Sequence, residues 1–473
     1  MHLISLAWIG ALLAIAAPVS SPSAAELSEC HLPELAEPAR CGVLDVAENP
    51  DRPEGRHLPI AVAVVPATGA HVRPDPIVVL MGGPGEDAIG GGAIEVQRLA
   101  RLRTDHDLLL VDQRGTGRSA ALHCRLYSDE NPAASLRDLF PLDAVARCVK
   151  ELSARADLTQ YGYARFASDL EHVRRALGYG SLDLFAGSYG TRAAQVYMRA
   201  YPDSVRTVYL GSTDPMDVPM PLPFGQPAQA ALESLFGACS ADPACHAAFP
   251  ALADEFAQIL ARLETGAVRV SLPRRADPVP LARGRVAEWI RSRLYRPRSA
   301  AVLPWMIHRA FEGDWSPIAD AILADARGAD SDLSFGLFFS ITCSEDVAFI
   351  PEERIEPETR GTFLGDWRVR QQQAACRLWP KFSPAPGYRA VVHSEIPVLL
   401  VSGDTDGAMP LWYAHHVAPG FPNGVEIVLR GLGHTEWSDC IARRYEQFVR
   451  TGVARGLDSP PCDPVPRPAF KTR

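Results

Sequence analysis

A serine between two glycines marks an abrupt change of pattern in the stretch LDLFAGSYGTRAAQ, which contains Ser188. The apolar residues before the serine predict a buried strand, and the residues after it predict a helix. A tight strand-to-helix turn exposes a serine hydroxyl beside a backbone N–H, which suits a nucleophile. Glycine and serine are also ordinary turn residues. The nucleophile hypothesis therefore needs a base, an acid that orients it and an oxyanion hole elsewhere in the chain.

Two later stretches supply an acid and a base, in that order. PVLLVSGDTDGAMP places Asp404 and Asp406 directly after a predicted strand, and VEIVLRGLGHTEW places His434 directly after the next one. The carboxyl ends of parallel strands meet at one edge of a sheet, so these side chains are expected to approach Ser188. Serine, acid and histidine in this order resemble the arrangement of the α/β-hydrolases. We therefore predict a catalytic triad in which His434 removes the Ser188 proton and an aspartate fixes the imidazole tautomer.

The two aspartates compete for one position, because Asp404 and Asp406 cannot both point at His434. Asp406 is favoured by the G-x-x-D form of this strand end, and Asp404 is then interpreted as a loop-capping carboxylate. His415 and His416 are weaker rivals of His434, because the stretch LWYAHHVA that contains them has the pattern of a helix.

An oxyanion hole needs two N–H donors directed at one point. The residue after the nucleophile, Tyr189, is expected to supply one of them. The stretch VVLMGGPGED follows an early predicted strand, and its glycines allow the backbone to approach a substrate carbonyl. We choose Gly83 as the second donor. Losing one such donor typically lowers the rate by about 10²–10³-fold, so neither is dispensable in an enzyme.

The elements that must position these residues alternate between strands and helices. Several of the apolar runs are rich in Val, Leu and Ile throughout, which is typical of strands covered on both faces. Helical patterns at 167–178 and 189–202 lie between them, and this alternation predicts a doubly wound, mostly parallel sheet of the α/β class. The predicted strands are 60–66, 77–83, 108–115, 182–187, 207–212, 397–403 and 425–431.

The alternation is interrupted by a Pro-rich and mainly helical interval with few strand-like runs. The simplest interpretation is a helical lid inserted over the sheet. The predicted organisation is a signal peptide at 1–25, the first part of an α/β-hydrolase core at 26–215, the helical lid insertion at 216–394 and the second part of the core at 395–473.

Export is predicted from the N-terminus and the cysteines. An apolar stretch too short to cross a bilayer comfortably precedes small residues, which is typical of a signal peptide, with an uncleaved membrane anchor as the alternative. An even number of cysteines, 10, favours disulfides in an exported chain, although some could instead be buried thiols. Pairing neighbours in sequence gives Cys30–Cys41, Cys124–Cys148, Cys239–Cys245, Cys343–Cys376 and Cys440–Cys462.

Composition excludes some other classes of function. The net charge is −9 over 473 residues without a long basic run, so no nucleic-acid partner is expected. The chain has no metal-ligand pattern such as paired C-x-x-C motifs or H-E-x-x-H. We expect no metal site, and no stable membrane partner once the signal peptide is removed.

Several motifs together carry a family resemblance. GGPG at 82–85, DQRGTGRS at 112–119, GSYG at 187–190 and the later GDTD and GLGH resemble the proline iminopeptidase-like branch of the α/β-hydrolases, and most closely its secreted bacterial tripeptidyl aminopeptidase group. The resemblance extends over most of the mature chain. It implies an α/β-hydrolase fold and hydrolysis of peptide bonds near a free N-terminus under a helical lid, without metal or organic cofactor. The implied partners are peptide substrates with a free N-terminus.

The resemblance also implies an acidic lid residue that binds the substrate's α-ammonium group. Glu345, in ITCSEDVAFI, is the candidate, and the alternative is that it belongs to a solvated loop or a helix cap. The chain departs from the family at Met81, where relatives often have His, and at Glu86, where another glycine is common. The second departure places a carboxylate near the cleft mouth, so Glu86 or Asp87 is a further candidate for amine binding.

Arg114 and Arg118 lie in the DQRGTGRS loop and allow two interpretations. Structural support of the loop is favoured over substrate binding. At the level of function, an exported serine aminopeptidase that releases single residues or short peptides is the first hypothesis. A carboxylesterase or lipase-like hydrolase on the same fold is the second. A catalytically silent binding protein is the third, and the complete set of serine, acid and histidine argues against it.

Overall fold

The computed structural model describes residues 26–127, 131–272 and 277–473. The expected signal peptide, residues 1–25, lies outside the described residues. Within these ranges the structure contains no helix with the length and apolar character needed to traverse a bilayer.

Most of the described strands form one central sheet. Their bounds are β1 Ser28–Cys30, β2 Ala39–Ala47, β3 His57–Val65, β4 Ile77–Leu80, β5 Leu108–Val111, β6 Leu182–Gly187, β7 Val205–Gly211, β8 Arg269–Val270, β9 Val279–Pro280, β10 Val398–Gly403 and β11 Val425–Leu429. The sheet has the order β1-β2-β3-β5-β4-β6-β7-β10-β11, and β8 pairs with β9 separately. All neighbours from β5 to β11 in this order are parallel, whereas β1, β2 and β3 pair antiparallel.

Helices cover both faces of the sheet. The helices are α1 Ala88–Gly91, α2 Ala93–Arg98, α3 Pro132–Arg137, α4 Leu142–Ser153, α5 Tyr163–Ala176, α6 Gly190–Ala200, α7 Gly225–Ala241, α8 Pro243–Ala248, α9 Leu252–Glu264, α10 Arg283–Arg293, α11 Pro297–Ala300, α12 Leu303–Phe311, α13 Ser316–Asp332, α14 Phe335–Ile341, α15 Glu352–Thr359, α16 Trp367–Leu378, α17 Leu411–Val417 and α18 Asp439–Thr451. A π-helical turn, Thr342–Asp346, continues α14.

Alternate residues of each central strand enter two different apolar cores. In β4, Val78 and Leu80 belong to one core, and Ile77 and Val79 belong to the other. All four β4 residues are buried, as expected for a strand covered on both faces. The predicted doubly wound, mostly parallel sheet is therefore confirmed.

Two predicted strands end earlier than expected, because their last residues form loops. β4 stops at Leu80 rather than at residue 83, and β5 stops at Val111 rather than at residue 115. Gly83 and Gly115 have positive φ angles of 102° and 85°, which a regular strand does not accommodate. The chain leaves the sheet at both points. The loop that follows β4 lies next to the turn that contains Ser188.

The interval between β7 and β10 is helical over most of its described residues. It contains α7 to α16 and the short β8–β9 pair. The division into lid and core at residues 216 and 394 stays a prediction. The structure joins the cysteines in five pairs, which are Cys30–Cys41, Cys124–Cys148, Cys239–Cys245, Cys343–Cys376 and Cys440–Cys462.

The loop after β5 is supported by a buried ion pair. Arg114 donates from Nε and Nη2 to the two carboxylate oxygens of Asp169 on α5, at 2.6 and 2.7 Å, and from Nη1 to the carbonyl oxygens of Glu48 and Gln160. Both charged side chains are buried. Arg118 in the same loop is exposed. Arg114 therefore supports the loop rather than facing a substrate.

We expect Arg114→Met to lower the free energy of unfolding by about 3–5 kcal/mol, because it leaves the Asp169 carboxyl buried without its cation. Burial alone raises the pKa of Asp169, and Arg114 acts in the opposite direction. Urea denaturation followed by tryptophan fluorescence measures the change. Arg118→Met is the matched control, with an expected change within about 0.5 kcal/mol. Equal losses in the two variants would contradict the support role.

Candidate active site

Ser188 occupies the turn between β6 and α6 in the left-handed region of backbone space, with φ of 54°. This conformation costs a non-glycine residue about 1–3 kcal/mol and persists only where the surroundings impose it. The Ser188 N–H donates to the Gly211 carbonyl at 2.9 Å. Gly190 cannot carry a side chain, because a Cβ there would come 2.2 Å from the Leu80 carbonyl oxygen. Close packing of α6 against the end of β4 thus defines the turn.

The three residues of the expected triad meet at the carboxyl edge of the sheet. His434 Nε2 lies 2.9 Å from Ser188 Oγ, and His434 Nδ1 lies 2.9 Å from Asp406 Oδ2. Asp406 and His434 are buried. Both distances are within hydrogen-bond range. The arrangement allows the imidazole to accept the serine proton while the carboxylate stabilises the charge that forms.

The structure separates the two candidate aspartates. Asp406 Oδ1 accepts the backbone N–H groups of Ala408 and Met409 at 2.8 and 2.9 Å, so its second oxygen is held toward the histidine. Asp404 is exposed, and its Oδ1 accepts the Gly431 N–H at 2.7 Å. Asp404 thus links the loops after β10 and β11 and does not contact the imidazole.

The histidine loop is held by residues that sequence reasoning did not identify. The His434 N–H donates to the Tyr295 carbonyl at 2.7 Å, and the Tyr295 ring packs against the imidazole with centroids 5.0 Å apart. Arg296 Nε donates to the His434 carbonyl at 3.1 Å. Tyr295 and Arg296 follow α10 in the helical interval. No local pattern connects them to a loop far along the chain.

Two backbone amides beside Ser188 match the expected oxyanion hole. Gly83 and Tyr189 both line the cleft that contains the serine. Within the described parts of the chain, neither N–H donates a hydrogen bond to a protein acceptor. Gly83 holds a positive φ, and a Cβ on it would come 2.9 Å from the amide nitrogen of Gly85. The donor role of these two amides stays a prediction.

The position of Tyr189 is fixed by a buried polar network. Tyr189 OH donates to Asp346 Oδ2 at 3.1 Å, and the Tyr189 carbonyl accepts a hydrogen bond from Tyr163 OH at 3.1 Å. Asp346 Oδ1 accepts from Arg192 Nη1 at 2.6 Å. Arg192 and Asp346 are fully buried, so their charges compensate each other in the interior. The network is a further feature that the sequence pattern did not reveal.

Glu345 does not occupy the place expected of an amine anchor. Its side chain is 1% exposed and does not line the cleft. Its oxygens accept the Tyr163 N–H at 3.0 Å and the Tyr388 hydroxyl at 2.5 Å. Burial raises the pKa of Glu345 to about 7. The expectation that Glu345 presents a carboxylate to a substrate is therefore corrected, because its side chain is buried and hydrogen-bonded to Tyr163 and Tyr388.

A cleft of about 1030 Å³ opens over the triad. Residues of the sheet edge and of the helical interval both line it. From the sheet edge and its loops come Gly83, Glu86, Ser188, Tyr189, Met409 and His434, and from the interval come Phe224, Arg291, Tyr295, Asp332, Phe338, Thr342, Arg368 and Gln372.

Glu86 is the acidic residue that stands beside the nucleophile in this cleft. A Cβ placed on Gly82 would lie 3.2 Å from Ser188 Cβ and 3.6 Å from Glu86 Oε2. The side chain is accessible from the cleft. Desolvation by the cleft walls raises the pKa of Glu86, while the Gly82 backbone, His434 and Arg296 act in the opposite direction.

Other candidate residues lie away from the triad. His415 and His416 are exposed on α17, where they contact Glu426 and Asp217 respectively. Asp87 lines the cleft, but its Oδ2 caps α1 by accepting the Gly90 N–H at 2.8 Å.

One group of histidine and acidic side chains in the described residues is close enough to hold a cation. It comprises Asp75, His106 and Asp183, whose potential ligand atoms lie within 4.8 Å of one another. Arg206 forms ion pairs with both carboxylates, which already compensates their charge. Asp183 lies at the start of β6, at the opposite end of that strand from Ser188.

Two family models match the chain. Residues 75–259 match the model described as alpha/beta hydrolase fold, and residues 362–460 match the model described as TAP-like protein. The first match includes Gly83 and Ser188, and the second includes Asp406 and His434.

Curated relatives share about a quarter of the aligned residues. Serine protease Hip1 of Mycobacterium tuberculosis is 26% identical over 79% of this chain and 77% of its own. Carboxylesterase B of the same species is 26% identical over 79% of this chain and 76% of its own. Tripeptidyl aminopeptidase of Streptomyces lividans is 27% identical over 42% of this chain and 40% of its own. Two of the three names describe enzymes that cleave peptide bonds.

We expect Asp406→Asn to lower kcat by about 10⁴-fold, because an amide cannot hold the imidazole in the required tautomer or stabilise its charged form. Hydrolysis of a chromogenic ester measures the effect. Asp404→Asn is the matched control, since it makes the same chemical change two residues away on an exposed carboxylate, and its kcat should stay within about threefold of the unmodified protein. A larger loss in Asp404→Asn than in Asp406→Asn would reverse the assignment.

Proposed function

Because the chain is a serine hydrolase with the α/β-hydrolase fold, and belongs with the proline iminopeptidase-like and tripeptidyl aminopeptidase group, we propose that it is an exported aminopeptidase. It hydrolyses peptide bonds near a free N-terminus and releases single residues or short peptides. The observation that carries the proposal is a hydrogen-bonded Ser188–His434–Asp406 set in a cleft that also exposes the Glu86 carboxylate. The first feature supplies acyl-transfer chemistry, and the second supplies a partner for an ammonium group.

The reaction follows from the positions of the three side chains. Ser188 Oγ attacks the scissile carbonyl carbon while His434 Nε2 takes the hydroxyl proton. The Gly83 and Tyr189 amides bind the oxyanion that forms. His434 then gives the proton to the leaving amine, and an acyl-enzyme remains. A water molecule repeats the sequence with His434 as base, which frees Ser188 and releases the acid product.

Glu86 is proposed as the carboxylate that receives the substrate's α-ammonium group, in place of Glu345. Its closeness to the Ser188 side chain means that an ammonium bound there lies near the carbonyl under attack, which favours a short acyl part. Asp332 is a second exposed acid in the cleft, at the end of α13. An ammonium in a partly desolvated site interacts more strongly with a carboxylate than it does in bulk water.

Export is proposed from the cysteines. The structure holds five disulfides, and the described residues contain no free cysteine. Disulfides persist in oxidising compartments and are rare in the reducing cytosol. The expected signal peptide agrees with this proposal.

A carboxylesterase is the second candidate function. Carboxylesterase B and the serine protease Hip1 each align with 79% of this chain. Acyl-enzyme chemistry by itself serves esters as well as amides. The exposed Glu86 beside the serine favours the aminopeptidase, because a neutral ester gains nothing from a carboxylate in that place.

A substrate panel separates the two candidates. Aminoacyl and tripeptidyl p-nitroanilides with free amines should be cleaved with a kcat/KM at least tenfold above that of their N-acetylated counterparts. The physical reason is the charge-assisted contact between the ammonium and a cleft carboxylate. Cleavage of short-chain p-nitrophenyl esters alone would instead assign a carboxylesterase. A fluorophosphonate probe verifies in each preparation that Ser188 is reactive.

We expect Glu86→Gln to raise KM for free-amine anilides by about 10- to 100-fold and to leave N-acetylated substrates nearly unchanged. Glu345→Gln is the matched control, and it should alter both substrate types equally. Since the pKa of Glu86 is raised, its carboxylate is protonated at a higher pH than an ordinary one. KM for free-amine substrates should therefore rise as the pH falls through that pKa, and this rise should be absent in Glu86→Gln. If Glu345→Gln instead raised KM for the free-amine substrates alone, the ammonium site would be assigned to Glu345.

A further inference from the structure

One end of the cleft contains an arginine whose charge is incompletely paired. Arg368, on α16, is 7% exposed and lines the cleft. Within the described residues, neither its Nε nor its Nη1 has a hydrogen-bond partner. Its nearest carboxylate oxygen is Glu288 Oε1, 3.4 Å from Nε. A buried guanidinium with two nitrogens that lack hydrogen-bond partners is costly unless a ligand completes the site.

The neighbouring carboxylate is already used by another arginine. Glu288 accepts two hydrogen bonds from Arg291, at 3.0 Å from Nε and 2.7 Å from Nη2. Arg291 also donates from Nη1 to the Tyr295 hydroxyl at 2.7 Å. Glu288 does not line the cleft, whereas Arg291 and Arg368 do. This end of the cleft therefore faces the substrate with excess positive charge.

A second unpartnered group lies one turn along the same helix. Gln372 is 1% exposed and lines the cleft, and its side-chain oxygen has no hydrogen-bond partner in the described residues. Residues four apart lie on one face of a helix, so the Arg368 and Gln372 side chains are neighbours. The Cys343–Cys376 disulfide fastens the same face of α16 to the π-helical turn. The two polar groups are thus presented by a fixed support.

Aromatic rings form the walls around the guanidinium. The Arg368 guanidinium carbon lies 5.2 Å from the centroid of the Phe140 ring and 5.8 Å from that of Phe224. Phe224 also packs against Arg291, with 4.5 Å between the guanidinium carbon and the ring centroid. These contacts hold the planar group in one orientation while leaving its N–H edge without acceptors.

We propose that Arg368 is the cationic group of a specificity pocket, lined also by Gln372, for an acidic side chain in the acyl part of the substrate, that is, a glutamate or aspartate next to the scissile bond. A carboxylate entering this end accepts charge-assisted hydrogen bonds from Arg368. An apolar side chain would leave the Arg368 N–H groups unpartnered, so it is discriminated against.

The enclosed position of the pocket assigns it to the acyl part. In cleavage near an N-terminus the acyl part is short, whereas the leaving peptide continues and must pass out of the cleft. Arg368 and Gln372 are both buried. A chain of contacts connects the pocket to the catalytic residues. Phe224 packs against both Arg368 and Arg291, and the Tyr295 ring contacts both Arg291 and the His434 imidazole. The inference rests on the proposed function for its peptide substrates. The pocket itself would bind a carboxylate in the acyl part of an ester as well as of a peptide.

The test compares substrates that differ only in the charge of one side chain. The first pair consists of the α-p-nitroanilides of glutamate and glutamine. Each is tested as a single residue and as the third residue of a tripeptide. Mono-p-nitrophenyl glutarate and p-nitrophenyl pentanoate, which have acyl chains of equal length, are the other. We expect kcat/KM to favour the carboxylate of each pair by about 10- to 100-fold. Arg368→Met should abolish that ratio by lowering kcat/KM for the carboxylate member of each pair.

Controls keep the pocket and the proposed function distinguishable. Arg377→Met makes the same change on the exposed face of α16 and should retain the ratio. Arg368→Lys keeps the positive charge and should retain part of the ratio. This variant replaces Arg368→Met in the test if Arg368→Met does not fold. If the protein hydrolyses the esters but not the anilides, the proposed peptidase function is rejected. The ratio of kcat/KM for the glutarate to that for the pentanoate would still test the proposed pocket. A ratio near one, or an equal ratio in Arg368→Met, would overturn the pocket.

Discussion

The position of one imidazole is the constraint on which the rest of the structure depends. His434 must lie 2.9 Å from Ser188 Oγ and 2.9 Å from Asp406 Oδ2 at once, although the three residues follow three different strands. The parallel register that pairs Gly187 with Gly211, and Gly403 with Leu429, sets where these strands end. A slip of one residue in that register would move each of these loops. It would also direct the side chains of the shifted strand to the opposite face of the sheet. Two packed cores make such a slip costly.

The helical interval contributes to the site. Tyr295 and Arg296 hold the backbone of the histidine loop, so the catalytic geometry depends on a segment that supplies none of the three triad residues. The same interval provides the buried residues Arg368 and Gln372, which line the cleft. The sheet edge therefore supplies the three triad side chains, and the helical interval supplies part of the cleft wall beside them.

Burial decides the role of each charged group near the site. Glu345 and Glu86 are both glutamates close to the nucleophile, yet Glu345 is enclosed by tyrosines and hydrogen-bonded, whereas Glu86 opens onto the cleft. The Arg192–Asp346 pair is likewise buried, and it fixes Tyr189 from behind. Buried charges that are mutually paired build the support for the site. Glu86, which opens onto the cleft, and Arg368, whose charge is incompletely paired in the described residues, are the groups available to a ligand.

The amino-acid sequence alone determined the doubly wound sheet, the order of the chemical groups along it and the turn at Ser188. These features depend on local patterns: apolar runs of strand length, helical periodicity and glycines where the backbone turns sharply. It also indicated Asp406 over Asp404 from the form of one strand end. Only the tertiary structure decided that Glu345 faces the interior, that Tyr295 holds the histidine loop, and that Arg368 and Gln372 line the cleft. Those facts depend on how helices distant in sequence pack together, and side-chain direction in such packing is set by contacts that no local pattern encodes.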